Sequence, residues 1–69
     1  MMKIEEAIVY CLATSNRGMR TEQIAQMINS MGLHLRKDGQ PVTSEQVYAV
    51  VCRFPGTFVK AEGRIMLIM

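Results

Sequence analysis

Pro41-Val42-Thr43-Ser44-Glu45-Gln46-Val47-Tyr48-Ala49-Val50-Val51-Cys52-Arg53-Phe54 reads as a helix with a marked start, one apolar face and an abrupt stop. Thr43 and Gln46 have capping-box spacing, in which each side chain satisfies the other residue's free backbone N–H. Val42 and Val47 bracket that cap and fit a hydrophobic staple. Val47, Val50, Val51 and Phe54 recur at i, i+3, i+4 and i+7, the spacing of a buried stripe. Pro55-Gly56 forbids continuation. The expected partners of this stripe are Ile8, Leu12, Ile24 and Ile28.

Those partners lie on two earlier helices. Residues 3–14 carry Ile4, Ala7, Ile8, Cys11 and Leu12 as one stripe, with Glu5 and Glu6 in the first turn, where they complement the helix dipole. Ser15-Asn16-Arg17-Gly18 ends this helix, with Gly18 the residue suited to positive φ. Met19-Arg20 is a short extended link able to form one rung of a small sheet. Thr21 is the expected cap of the second helix, whose stripe is Ile24, Met27, Ile28 and Met31. Gly32 stops it. Residues 33–40 form a loop with the turn pair Asp38-Gly39.

Downstream of Pro55-Gly56, residues 57–61 and 64–69 read as two strands joined by Glu62-Gly63. A capped helix followed by a hairpin is the arrangement of a recognition helix and its wing. The expected fold is therefore α+β, a winged helix-turn-helix of three helices and a C-terminal β-hairpin, spanning 1–69 as one domain.

Bulk properties agree with a small packed domain. The chain has 69 residues, 49% of them hydrophobic, and a formal net charge of +2. Mean hydropathy is +0.11 and the pI about 8.8, so nucleic-acid binding is permitted without being demanded. No apolar run approaches the roughly 20 residues of a spanning helix. Acids near the N-terminus do not suit a signal peptide, and the expected location is the cytoplasm. Cys11 and Cys52 sit in apolar helical patterns without CxxC spacing and read as core or interface fillers.

No catalytic constellation assembles. His34 is the single histidine, and it falls in the loop. The glycines belong to no phosphate-cradling motif, and neither a metal nor a cofactor is expected. The chain reads as a non-enzymatic protein.

The nucleic-acid reading rests on arrangement. With the valines inward, Glu45, Ala49 and Cys52 point outward, flanked by Tyr48 and Arg53. Thr43, Ser44 and the N–H groups of the helix start can meet phosphate. Arg36 and Lys37 precede the helix, while Lys60 and Arg64 sit either side of the hairpin turn. Against this, the outward face is acidic at Glu45 and uncharged beyond it. Protein interaction is thus the second reading. Val9, Tyr10, Met66 and Ile68 remain as apolar residues on second faces and suggest a homodimer.

Lys37-Asp38-Gly39-Gln40-Pro41-Val42-Thr43-Ser44-Glu45-Gln46-Val47, with Phe54-Pro55, Phe58 and a closing Gly63-Arg64-Ile65-x-Leu67-Ile68, resembles the HARE-HTH domains. The likeness extends to the opening helix, to Met19-Arg20-Thr21-x-x-Ile24-Ala25 and to Gly32-Leu33. It implies a winged helix-turn-helix of the kind attached to restriction-type nucleases, chromatin proteins and an RNA polymerase accessory subunit. Such domains are expected to bind DNA or to act near it.

Overall fold

The computed structural model describes residues 2–68. Three helices, α1 (Ile4–Ser15), α2 (Thr21–Met31) and α3 (Ser44–Arg53), precede an antiparallel hairpin of β1 (Phe58–Ala61) and β2 (Arg64–Leu67). This is the α+β winged-helix layout that the periodicities predict. Met69, the expected end of the last strand, lies outside the described residues.

The start of α2 differs from expectation, and α1 begins in the same way. At α1 and α2 the N-cap residues are Lys3 and Arg20, whose side chains cannot accept a hydrogen bond. The third helical residue reaches back instead. Glu6 Oε1 accepts from the Lys3 N–H and Gln23 Oε1 from the Arg20 N–H, each at 3.0 Å. Thr21, expected as a cap, is the first residue of α2 proper. At α3 the expectation holds for one half of the box. Thr43 Oγ1 accepts from the Gln46 N–H at 3.1 Å. Gln46 does not reciprocate; its Oε1 is buried without a partner.

α1 is closed by Asn16, which takes the left-handed conformation at φ 58°. Gly18, the expected stop, is required for a different reason. A Cβ there would lie 2.9 Å from Met66 Cγ and 3.1 Å from Arg64 Cβ, so the link can reach β2 only without a side chain. The approach allows Met19 to bridge Ile65, with Met19 N–H donating to Ile65 O at 3.0 Å and Ile65 N–H to Met19 O at 2.7 Å. The expected rung exists.

α2 ends in a Schellman closure at Gly32, with Leu33 N–H donating to Ile28 O at 3.0 Å. The loop that follows is clasped to α2 by Asn29. Its amide donates to Val42 O and accepts from Val42 N–H, both at 2.9 Å. Val42, buried beside the cap of α3, is thereby fixed at both polar atoms.

The core is Ala7, Ile8, Cys11 and Leu12 from α1, Ile24, Ala25 and Ile28 from α2, and Val47, Val50 and Val51 from α3. Val42, Phe58 and Ile65 close it. Two expected members are displaced. Met31, the last residue of α2, is exposed, and Ala25 serves instead. Phe54 is half-buried at the core edge because it has left the helix, at φ −126° and ψ 64°. The aromatic ring that enters the core is Phe58, 4% exposed.

Candidate nucleic-acid interface

The solvent side of α3 carries Glu45, Tyr48, Ala49 and Cys52, all exposed, with Arg53 at its last turn. The hairpin comes to this side through Lys60. Register pairs Lys60 with buried Ile65, so the lysine starts on the inner face of the hairpin, at its outer edge. From there its Nζ sits 4.8 Å from the centroid of the Tyr48 ring. A cation–π contact at an exposed site contributes about 0.5–1 kcal/mol. It holds the hairpin against the exposed flank of α3.

The turn linking the strands is a type I′ turn, with Glu62 at φ 54° and Gly63 at φ 78°. Register places Ala61 opposite Arg64 and Lys60 opposite Ile65, so Lys60 and Arg64 leave opposite faces of the hairpin. They do not grip together. Arg64 turns to the α1–α2 link, where its Nη1 donates to Gly18 O at 3.3 Å. There it lines a cleft with Arg17, Gly18, Met19 and Gln23.

The other expected contacts are distributed. Arg36 is committed to its own loop, paired with Asp38 and donating to Pro41 O at 3.4 Å. The Asp38 carboxyl is held below its ordinary range by the Gln40 N–H and by Arg36. Lys37 is exposed. Thr43 is occupied as the cap, and Ser44 Oγ donates to Glu45 Oε1 at 3.3 Å, so both hydroxyls are engaged locally. The Arg53 guanidinium lies 5.9 Å from the Phe54 ring centroid. His34 is a tether: a carbonyl can only accept, so its Nδ1–H donates to Met2 O at 2.8 Å.

Of the residues expected at a dimer seam, Val9 packs against the core and lines a cleft with Phe54 and Phe58. Tyr10 is exposed on α1. Met66 and Ile68 are 42% and 50% exposed and share the outer hairpin face with Val59, also 42% exposed. Val59 stands opposite Met66, and Ile68 N–H donates to Thr57 O one rung further on.

Arg17 and Gln23 escape sequence reasoning because only the tertiary bridge at Met19 brings them beside Arg64. The signal available was the Met19-Arg20 rung: pairing it with the last strand places Arg17 near that strand. Burial pushes the Cys11 thiol up from its ordinary value. Among the described residues no group of three or more His, Cys, Asp or Glu side chains is placed to hold a metal ion, and no helix is long and apolar enough to cross a membrane. Comparison with protein-family models, curated proteins and solved structures finds no match for this chain.

Proposed function

We propose that this chain is a non-enzymatic DNA-binding module that holds duplex mainly through its phosphates. The observation that supports the reading is the contact of Lys60 with Tyr48, which draws the hairpin and the solvent side of α3 into one surface. Lys37 precedes that surface and Arg53 follows it. Glu45, Ala49 and Cys52 offer little to base edges, so affinity should depend weakly on sequence and strongly on salt.

Fluorescence anisotropy with a random duplex across a salt series tests it. If Lys37, Arg53 and Lys60 each neutralise a phosphate, log Kd changes with log salt at a slope of roughly 2 to 3. Lys60→Gln should lower that slope by about 1 and weaken binding to all sequences alike. Absence of binding at low salt with concentrated protein rejects the reading.

A second reading, self-association through the hairpin, draws on the alignment of Val59, Met66 and Ile68 on one face. Sedimentation over a concentration series checks it. A dimer that dissociates in Ile68→Lys supports that seam, and a monomer at high micromolar concentration removes it.

A further inference from the structure

We infer that the cleft between the α1–α2 link and β2 is a phosphate site, in which the guanidinium groups of Arg17 and Arg64 close on one anionic group. The cleft has a volume of about 620 Å³, and Arg17, Gly18, Met19, Gln23 and Arg64 line it. Two arginines, Arg17 and Arg64, line one recess, and no Asp or Glu is among the residues lining it. The ion pair found among the described residues, Arg36 with Asp38, lies elsewhere, in the loop before α3. Like charges gathered without a counter-ion repel one another, and an anion between them reverses the sign of the interaction.

Polarity narrows the choice. The Gly18 carbonyl is already taken by Arg64 Nη1, and the Gln23 Oε1 is taken by the Arg20 N–H. What Gln23 has left to offer is its amide NH₂. The groups these lining residues still have to offer are therefore donors: the remaining N–H groups of Arg64, the guanidinium of Arg17 and the Gln23 amide. A guanidinium carries five N–H donors in a fixed fork, so Arg64 can hold Gly18 and an oxyanion together. A lining of donors with planar forks matches a tetrahedral group rich in acceptor oxygens, which is a phosphate.

The backbone keeps the recess in shape. A Cβ at residue 18 would lie 2.9 Å from Met66 Cγ and 3.1 Å from Arg64 Cβ, so a side chain there would press the link away from β2. The bridge between Met19 and Ile65 fixes the distance between the two walls.

This site deepens the DNA-binding reading and rests on it for the source of the phosphate, taken to be a backbone group of duplex. Free inorganic phosphate presents the same chemistry. Arginine Nε–H resonances should be followed by NMR in three titrations: inorganic phosphate, a short random duplex, and sodium chloride at matched ionic strength. The expected result is movement of the Arg17 and Arg64 signals with phosphate and duplex and not with chloride. Arg17→Gln, an exposed change whose fold is verified by its amide spectrum, should abolish the Arg64 response and lower the salt slope of duplex binding by about 1. Duplex binding that depends on Lys60 while Arg17→Gln changes neither slope nor signals overturns the site and leaves the DNA reading standing. Saturable phosphate shifts at both arginines without duplex binding support the site with free phosphate as its source, and the DNA reading falls. No response to either probe overturns the site.

Discussion

Truncating Phe58 and Phe54 separately provides the sharpest test of how the core is built. The two rings lie at either end of the turn that leaves α3, and the Phe58 N–H donates to Phe54 O at 3.1 Å. Phe58 is 4% exposed and belongs to the central cluster, whereas Phe54 is half-buried with Arg53 near its ring. Removing a buried phenyl group loses its transfer free energy and leaves a cavity, together about 3–5 kcal/mol. Phe54→Ala loses only part of the transfer term and opens a space that water can fill, so about 1–2 kcal/mol is expected. A domain of this size is stable by roughly 3–10 kcal/mol. A loss of 1 kcal/mol lowers its Tm by about 4–8 °C. Phe58→Ala should therefore lower Tm by at least about 12 °C or leave the chain unfolded at room temperature. Phe54→Ala should melt cooperatively within roughly 15 °C of the parent. Thermal denaturation followed by circular dichroism distinguishes them. Equal losses, or a larger loss at Phe54, would refute the assignment of Phe58 as the ring that completes the core.

Two further changes probe polar and backbone features. Asn29→Ala strands both the N–H and the C=O of buried Val42 and should cost about 2–4 kcal/mol in chemical denaturation; a loss under about 0.5 kcal/mol would show that water replaces the clasp. Glu62→Asn should stabilise the hairpin by about 0.5–1 kcal/mol, because Glu62 holds a left-handed conformation that asparagine adopts more readily. A fall in Tm would mean that the Glu62 side chain makes a contribution its backbone strain conceals.

What the sequence made legible was local. Thr43 caps α3, Gly32 stops α2 and Val47, Val50 and Val51 face inward, because each depends on neighbours within a turn or two. Extending the α3 stripe to Phe54 failed where the helical phase itself failed. Once that residue leaves helical φ and ψ, the i+7 rule no longer says where its ring goes, and the next turn delivers Phe58 instead. Thr21 fails as the cap of α2 through the same kind of locality. Thr21 is a good cap by composition, but the extended backbone at Arg20 starts the helix one residue earlier, and Gln23 closes it from inside.

The candidate surface was legible in its residue types and not in its grouping. Lys60 and Arg64 look like a pair in the chain, and the two-residue alternation of the hairpin sends them to opposite faces. The partners they acquire, the Tyr48 ring for one and the Gly18 carbonyl for the other, lie elsewhere in the sequence. No periodicity links those positions. They meet only through the way the hairpin docks on the helices.

The bridge from Met19 to Ile65 has a consequence for the order in which the chain can fold. A hairpin with a two-residue turn is local and fast to form, yet an isolated one is marginally stable in water. Here the third rung comes from the link between α1 and α2, so it is available only after a loop spanning most of the molecule has closed. That closure is an entropic barrier met before its contacts are gained. The hairpin is thus not an appendage that can fray while the helices stay folded. It acts as a latch, and the helices and strands should gain and lose their structure in a single step.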